Sequence, residues 1–181
     1  GRCDVSGVDT PAMQRGRELE ADGLAAYEAK TGTLLDRVGF VSCDEMLIGC
    51  SPDGAILDGS TFAGGVEMKC PEVHTHLGYL KDPHKLLDAY QAQCMHTLLV
   101  TDAPWWDLAS YCPSFPGAAC LLVVRVLRSG PLNHFIAEVP PFAQAVDVVA
   151  YELLVRAFLK EVDAEVTEIR RIAGLDDQEA A

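Results

Sequence analysis

The stretch Ser51-Pro52-Asp53-Gly54, continued after Gly64-Gly65-Val66 by Glu67-Met68-Lys69-Cys70-Pro71, decides how this chain is read. Side chains two apart on a β-strand share a face. Glu67 and Lys69 therefore project together, while Val66 and Met68 turn the other way into a core. Asp53, on a neighbouring strand or turn, completes a cluster of two carboxylates and one ammonium. Taken singly, Asp-Gly is a turn signal and Glu-x-Lys is the solvated face of a strand. Together they match the needs of phosphodiester hydrolysis at a metal ion. Mg2+ prefers oxygen ligands and is held by one or two carboxylates, waters and a substrate phosphate. Asp53 and Glu67 supply the carboxylates. The Met68 carbonyl, lying between the two inward side chains, offers a third oxygen. Lys69 is placed to orient a water or to stabilise charge on a transferring phosphoryl group.

This pair, Cys50-Ser51-Pro52-Asp53-Gly54 and Glu67-Met68-Lys69-Cys70-Pro71, forms the second and third of four blocks. The first is Arg15-Gly16-Arg17-Glu18-Leu19-Glu20, with Ala25-Ala26-Tyr27 and Thr31-Gly32 behind it. The fourth is Ala89-Tyr90-Gln91-Ala92-Gln93, then Trp106-Asp107-Leu108 and Tyr111-Cys112-Pro113. With these blocks in this order, from about Met13 to about Val162, the chain resembles the phage lambda exonuclease and YqaJ-type viral recombinase family of the PD-(D/E)xK nuclease superfamily.

That resemblance implies Asp53 and Glu67 as metal ligands and Lys69 as the catalytic lysine. Its Gly-x-x-x-Glu pattern selects Glu20 rather than Glu18 as an additional acid near a second metal. It implies Gln93 as a helix residue that meets the scissile phosphate or the attacking water. Tyr90, three residues earlier, can share its face. Ser51, Tyr90, Gln91, Arg15 and Arg17 are the expected substrate contacts, the arginines as phosphate binders near a helix start. The implied fold is one α/β domain over residues 1–181, a restriction-endonuclease-like core with a central mixed sheet flanked by helices. The implied cofactor is Mg2+, with Mn2+ as a substitute. Members of the family carry a longer segment before the Gly-x-x-x-Glu helix, where only Gly1 to Ala12 stand here. A pocket for a 5′-phosphate end and processive action are therefore not implied, and the chain reads as trimmed or as a shortened relative.

The 181 residues suffice for one domain with a proper core. At 49% apolar residues the chain is globular rather than disordered. No apolar run has the length of a membrane span, and no basic-then-apolar leader is seen, so an intracellular setting is expected. Seven scattered cysteines, with no Cys-x-x-Cys, indicate neither a zinc ribbon nor an iron–sulfur cluster, and several of them, in strand-like runs, read as small core residues. His74 and His76 form a His-x-His pair without further ligands at metal spacing. The net charge of −13 argues against a general nucleic-acid binder. DNA would be gripped by a local basic rim drawn from Arg15, Arg17, Lys30, Arg37, Lys81 and Lys85. A ring trimer with a more basic channel, implied by the resemblance alone, would reconcile the two.

Thr10-Pro11 starts a helix that stops at Thr31-Gly32. Strands are expected at Leu34–Val41, Met46–Cys50, Ala55–Leu57, from Gly64-Gly65 through Lys69, at Trp105–Tyr111, Cys120–Leu127 and Asn133–Val139. Pro71 to Pro83 reads as an irregular loop touching DNA, and Lys85–Thr101 as a helix. Pro140-Pro141 starts a long amphipathic helix to about Ile172, followed by a frayed acidic end, Asp176–Ala181. One of Trp105 and Trp106 faces the core, and the other is free to stack a base.

The expected function is a Mg2+-dependent deoxyribonuclease acting on the ends of double-stranded DNA. The 5′→3′ direction, a phage recombination setting and a single-strand annealing partner come from the resemblance. The rivals are an endonuclease or single-strand exonuclease with the same site, a non-catalytic DNA-binding module, and a His/Cys zinc protein.

Overall fold

The computed structural model describes residues 10–129 and 142–175. The expected strand at Asn133–Val139, the helix start at Pro140-Pro141, the acidic end and Cys3 lie outside the described residues. The chain divides into two compact units, Gly1–Val146 and Asp147–Ala181.

Helix α1 spans Pro11–Thr31. Thr10 accepts from the Met13 N–H through its side chain, Pro11 takes the first helical position, and Gly32 at φ +70° closes the end with its N–H on the Glu28 carbonyl. The termini are those the sequence predicts.

The next segment departs from expectation. Only Val41–Cys43 forms a strand, β1, paired antiparallel with β2, Ile48–Cys50. Within Leu34–Phe40 the ladder reduces to one bridge, Asp36 to Ala55. The Leu35 N–H is taken by the Glu28 side chain at 2.8 Å, so a side chain replaces a strand partner there. Leu34 and Phe40 are exposed at 83% and 73%, so the apolar alternation has no sheet face to bury against.

Strands β3, Gly54–Asp58, and β4, Thr61–Lys69, form an antiparallel hairpin turned at Gly59, φ +62°. β4 begins earlier than Gly64-Gly65. Those glycines lie within it, where a Cβ would fall 2.4 Å from the Trp105 ring and 2.3 Å from the Trp106 ring, respectively. Pro71–Pro83 is not an irregular loop. It holds helix α2, Val73–Lys81, followed by α3, His84–Thr101. β5, Trp105–Tyr111, lies parallel to β4, and a 3-10 turn, Gly117–Cys120, leads into β6, Leu121–Arg128, antiparallel to β5. The sequence reading missed β7, Ala143–Val146, which runs parallel to β6. The mixed sheet has the order β3-β4-β5-β6-β7, so β6 is flanked on both sides as its apolar character requires.

Alternation along β4 divides the chemistry from the core. Val66 and Met68 join Leu24 and Tyr27 of α1 with Ala109, Leu121 and Val123 in one buried cluster. Glu67 and Lys69 point to the opposite face, where α3 lies. Neither tryptophan is free to stack a base: Trp106 is fully buried, and the Arg125 guanidinium lies 3.7 Å from the centre of the Trp105 ring. Among the described residues, six cysteines are free thiols, with Cys94 and Cys112 fully buried as small core residues.

The final helix, α4, spans Val148–Ala173 and is preceded by β7. Asp147 caps it through the Ala150 N–H at 2.9 Å, and Gly174, φ +65°, ends it. Among the described residues no helix is long and apolar enough to cross a membrane.

The glycine pair in β4 makes a test of this packing. A methyl at position 65 would meet the Trp106 ring at 2.3 Å and the Gly54 carbonyl at 2.6 Å. Gly65→Ala is expected to destabilise the protein by about 1–3 kcal/mol, the usual cost of overpacking, read as a lower urea midpoint with an unchanged m-value.

Candidate active site

The end of β4 projects its alternate side chains into a hydrogen-bonded cluster. Lys69 Nζ donates to Glu67 Oε1 at 2.7 Å and to Gln93 Oε1 at 2.9 Å. Gln93 Nε2 donates to the same Glu67 oxygen at 2.6 Å. An ammonium only donates and a carboxylate only accepts, so one amide orientation of Gln93 serves both. The Tyr90 ring lies under the ammonium, 4.7 Å from Nζ to its centre. Tyr79 of α2 lies beside Tyr90, and burial raises its phenol above the ordinary value, with Tyr90 adding to the shift. Tyr79 escaped the sequence reading with the rest of α2. The spacing Val73, His76, Leu77, Leu80 is the helical signal that could have found it.

Asp53 stands where the chain turns from β2 toward β3. Met68 donates its backbone N–H to Asp53 Oδ2 at 2.8 Å. A strand residue directs its N–H and C=O to the same side, so the Met68 carbonyl opens toward Asp53 too. Burial, and after it the Glu67 carboxylate, push Asp53 up from 3.8 to about 6. Glu20 on α1 is also raised, by burial first and by Asp53 second, while Arg37 and Lys69 pull it down. Glu18 instead accepts from Gln14 on the exposed side of α1 at 2.8 Å. Asp53, Glu67, Lys69, Gln93 and Tyr90 thus come together, with Glu20 in electrostatic reach.

Other expected residues lie elsewhere. Arg15 donates from Nε to the Pro71 carbonyl at 3.4 Å and lies 4.0 Å from Glu72, tying α1 to the turn after β4. Gln91 faces Gln144 of β7 at 3.5 Å, away from Lys69. Ser51 and Arg17 are exposed. Of the basic rim, Lys30 is drawn onto the Leu121 carbonyl at 2.8 Å. Arg37 and Asp53 line a small cavity of about 150 Å³ beside α1.

The donor set fits a hard divalent cation. Two carboxylates, one raised by burial and then by the other, with a backbone carbonyl on the same side, make an oxygen site that a cation would relieve. Among the described residues no three His, Cys, Asp or Glu side chains gather to hold an ion. Carbonyl and water oxygens would therefore complete the shell. A zinc reading of His76 also fails. Both its ring nitrogens are already engaged, Nε2 with the Ala119 carbonyl at 2.9 Å and Nδ1 with the Ser110 hydroxyl at 2.7 Å.

Comparison with known proteins gives the family and the fold. The model of the YqaJ-like viral recombinase domain matches residues 2–104. An alkaline exonuclease from Laribacter hongkongensis, LHK-Exo, is 31% identical with a TM-score of 0.72, over 92% of this chain and 76% of that one. The same exonuclease in complex with dAMP matches equally well, over 93% of this chain and 76% of that one. A phage-related exonuclease from Haemophilus somnus 129PT shares the fold at 12% identity and a TM-score of 0.65, over 91% of this chain and 76% of that one. No curated protein sequence matches.

A carboxyl whose pKa is raised in the folded state stabilises that state at low pH, and the gain is lost as pH rises through the folded value. For Asp53 the loss falls between its ordinary 3.8 and about 6. A cation that binds only the folded, ionised site should therefore raise the melting temperature several degrees more at about pH 8 than at about pH 5. Equal Mg2+-induced shifts at both pH values, measured by calorimetry, would contradict the assignment.

Proposed function

The chain belongs to the YqaJ-like viral recombinase family, and from that premise we propose that it is a divalent-metal-dependent exodeoxyribonuclease acting on the ends of double-stranded DNA. The observation that carries the proposal is the convergence of Lys69, Glu67 and Gln93, linked by hydrogen bonds of 2.6–2.9 Å, beside Asp53. The likeness to an alkaline exonuclease supports nuclease action on DNA. The complex of that exonuclease with dAMP supports release of a nucleoside monophosphate.

In this reading Asp53, Glu67 and the Met68 carbonyl would hold Mg2+, for which Mn2+ would substitute. When bound, the ion polarises a phosphoryl oxygen and lowers the pKa of a bound water. Lys69 orients the attacking water and offsets charge on the phosphoryl group, and the water enters in line as the 3′-oxygen departs. Gln93 keeps the Lys69 ammonium turned toward Glu67 and presents its amide to the scissile phosphate. Tyr90 holds the ammonium from below through its ring face. Glu20 is the acid for a second ion. Ser51 at the Asp53 turn and the exposed Arg17 are assigned to the DNA backbone. The 5′→3′ direction, a ring trimer and cooperation with an annealing protein in phage recombination belong to the same proposal and rest on family likeness.

The test is digestion of duplex DNA in Mg2+ or EDTA by the wild type and by Lys69→Ala. Linear duplex is expected to yield mononucleotides in Mg2+ and none in EDTA, with covalently closed circles left intact. Lys69→Ala is expected to lose about 100-fold or more in rate, the scale for removing a group that stabilises the transition state. Cutting of closed circles would replace the end-dependent enzyme with an endonuclease. Inertness of the folded, metal-bound wild type on all DNA would overturn the enzyme reading.

A further inference from the structure

We infer that Tyr27, Asp107 and Arg125 form a buried clamp that positions Glu20 of α1 beside the metal-binding carboxylates, an inference that rests on the reading of Glu20, Asp53 and Glu67 proposed above. Tyr27 lies two helical turns after Glu20, so the two occupy one stripe of α1. Its hydroxyl donates to Asp107 Oδ2 at 2.8 Å. Asp107, on β5, is fully buried and sits opposite Arg125 of β6. Arg125 meets it with two parallel bonds, Nε to Oδ1 at 2.7 Å and Nη2 to Oδ2 at 2.8 Å. The guanidinium is backed in turn by the Trp105 ring.

The Asp107 charge is answered by Arg125 without help from Tyr27. The hydroxyl is thus not needed to rescue a buried charge, and its consequence is directional. The apolar contacts of α1 with Val66 and Met68 favour burial but tolerate a roll or slide of the helix. A hydrogen bond to a carboxylate held rigidly in the sheet tolerates neither. Gly23, between Glu20 and Tyr27, brings the helix so close that a Cβ there would lie 2.8 Å from Met68 Sδ. Met68 is also the residue whose N–H holds Asp53. Glu20 interacts with Asp53 but does not form a three-acid cluster with Asp53 and Glu67. Its reach to an ion therefore depends on where α1 is held. Tyr27, Asp107 and Arg125 are positioning residues, acting through Glu20 on the second ion.

The test is titration of the full chain with Mn2+, followed by calorimetry and by the paramagnetic signal of the free ion. The variants are Tyr27→Phe, Glu20→Gln and the double variant, each checked for its melting temperature. Tyr27→Phe keeps the ring and loses the hydroxyl alone. It is expected to weaken the weaker Mn2+ site about 10-fold, the scale for residues that orient metal ligands, and to leave the tighter site unchanged. In the Glu20→Gln background the same change is expected to do nothing further. Gly23→Ala, which displaces α1 by another route, is expected to weaken the same site and serves if Tyr27→Phe does not fold. A Tyr27→Phe isotherm identical to that of the wild type, or an effect that persists without Glu20, would overturn the clamp. If Glu20→Gln alone leaves both sites intact, the clamp falls with the role of Glu20. Loss of the tighter ion in Asp53→Asn would then show that the main metal reading survives.

Discussion

Met68 donates its backbone N–H to the Asp53 carboxylate, and through that one bond the two halves of the motif become a site. β3 has stopped pairing with β4 at Gly54 opposite Val66, so the edge of β4 beyond Val66 is open. Asp53 fills the gap with a side chain where a strand would have offered a carbonyl. The bond sets the Asp53 carboxyl against Glu67, turns the Met68 carbonyl the same way, and leaves the Met68 side chain for α1. Without it the two acids would be the ends of separate elements rather than neighbours.

The charge balance of the chain looks hostile to DNA until the fates of individual cations are followed. Lys69 is engaged by Glu67, Gln93 and Tyr90. Arg15 is drawn to Pro71 and Glu72, Lys30 to the Leu121 carbonyl, and Arg125 to Asp107. The basic rim is thus thinner than a count of lysines and arginines suggests. Arg37, beside the cavity at Asp53, and Lys69 are the two cations that act on Glu20. Fields focused in a cleft can matter more to an anionic ligand than net charge does.

The site was legible where its residues sit on one strand. The two-residue period separates Glu67 and Lys69 from Val66 and Met68 whatever the tertiary context. The α1 termini were equally legible, because Thr10, Pro11 and Gly32 act through local hydrogen bonds and φ preferences. What failed depended on partners distant in sequence. Leu34–Phe40 alternates like a strand, yet its backbone is claimed by Glu28 and by a single bridge to Ala55. Pro71 and Pro83 bracket α2 and gave it the look of a loop, although its helical spacing was present. β7 was hidden because Ala143–Val146 becomes a strand only when β6 offers an edge. The clamp of Tyr27, Asp107 and Arg125 joins three elements, and no local pattern announces it.

The glycine pair of β4 has a consequence for how this protein can be observed. Gly64 and Gly65 remove side chains from both faces of the strand at one level, and the only two tryptophans of the chain settle there, one on each face. The intrinsic fluorescence of the protein therefore does not average over the fold. It originates at a single crossing on the strand that ends in Glu67 and Lys69, with Trp105 coupled through Arg125 to the α1 face. A shift in emission would report movement of that strand, making the wavelength of the native protein a built-in, label-free gauge of the β4 edge that carries Glu67 and Lys69.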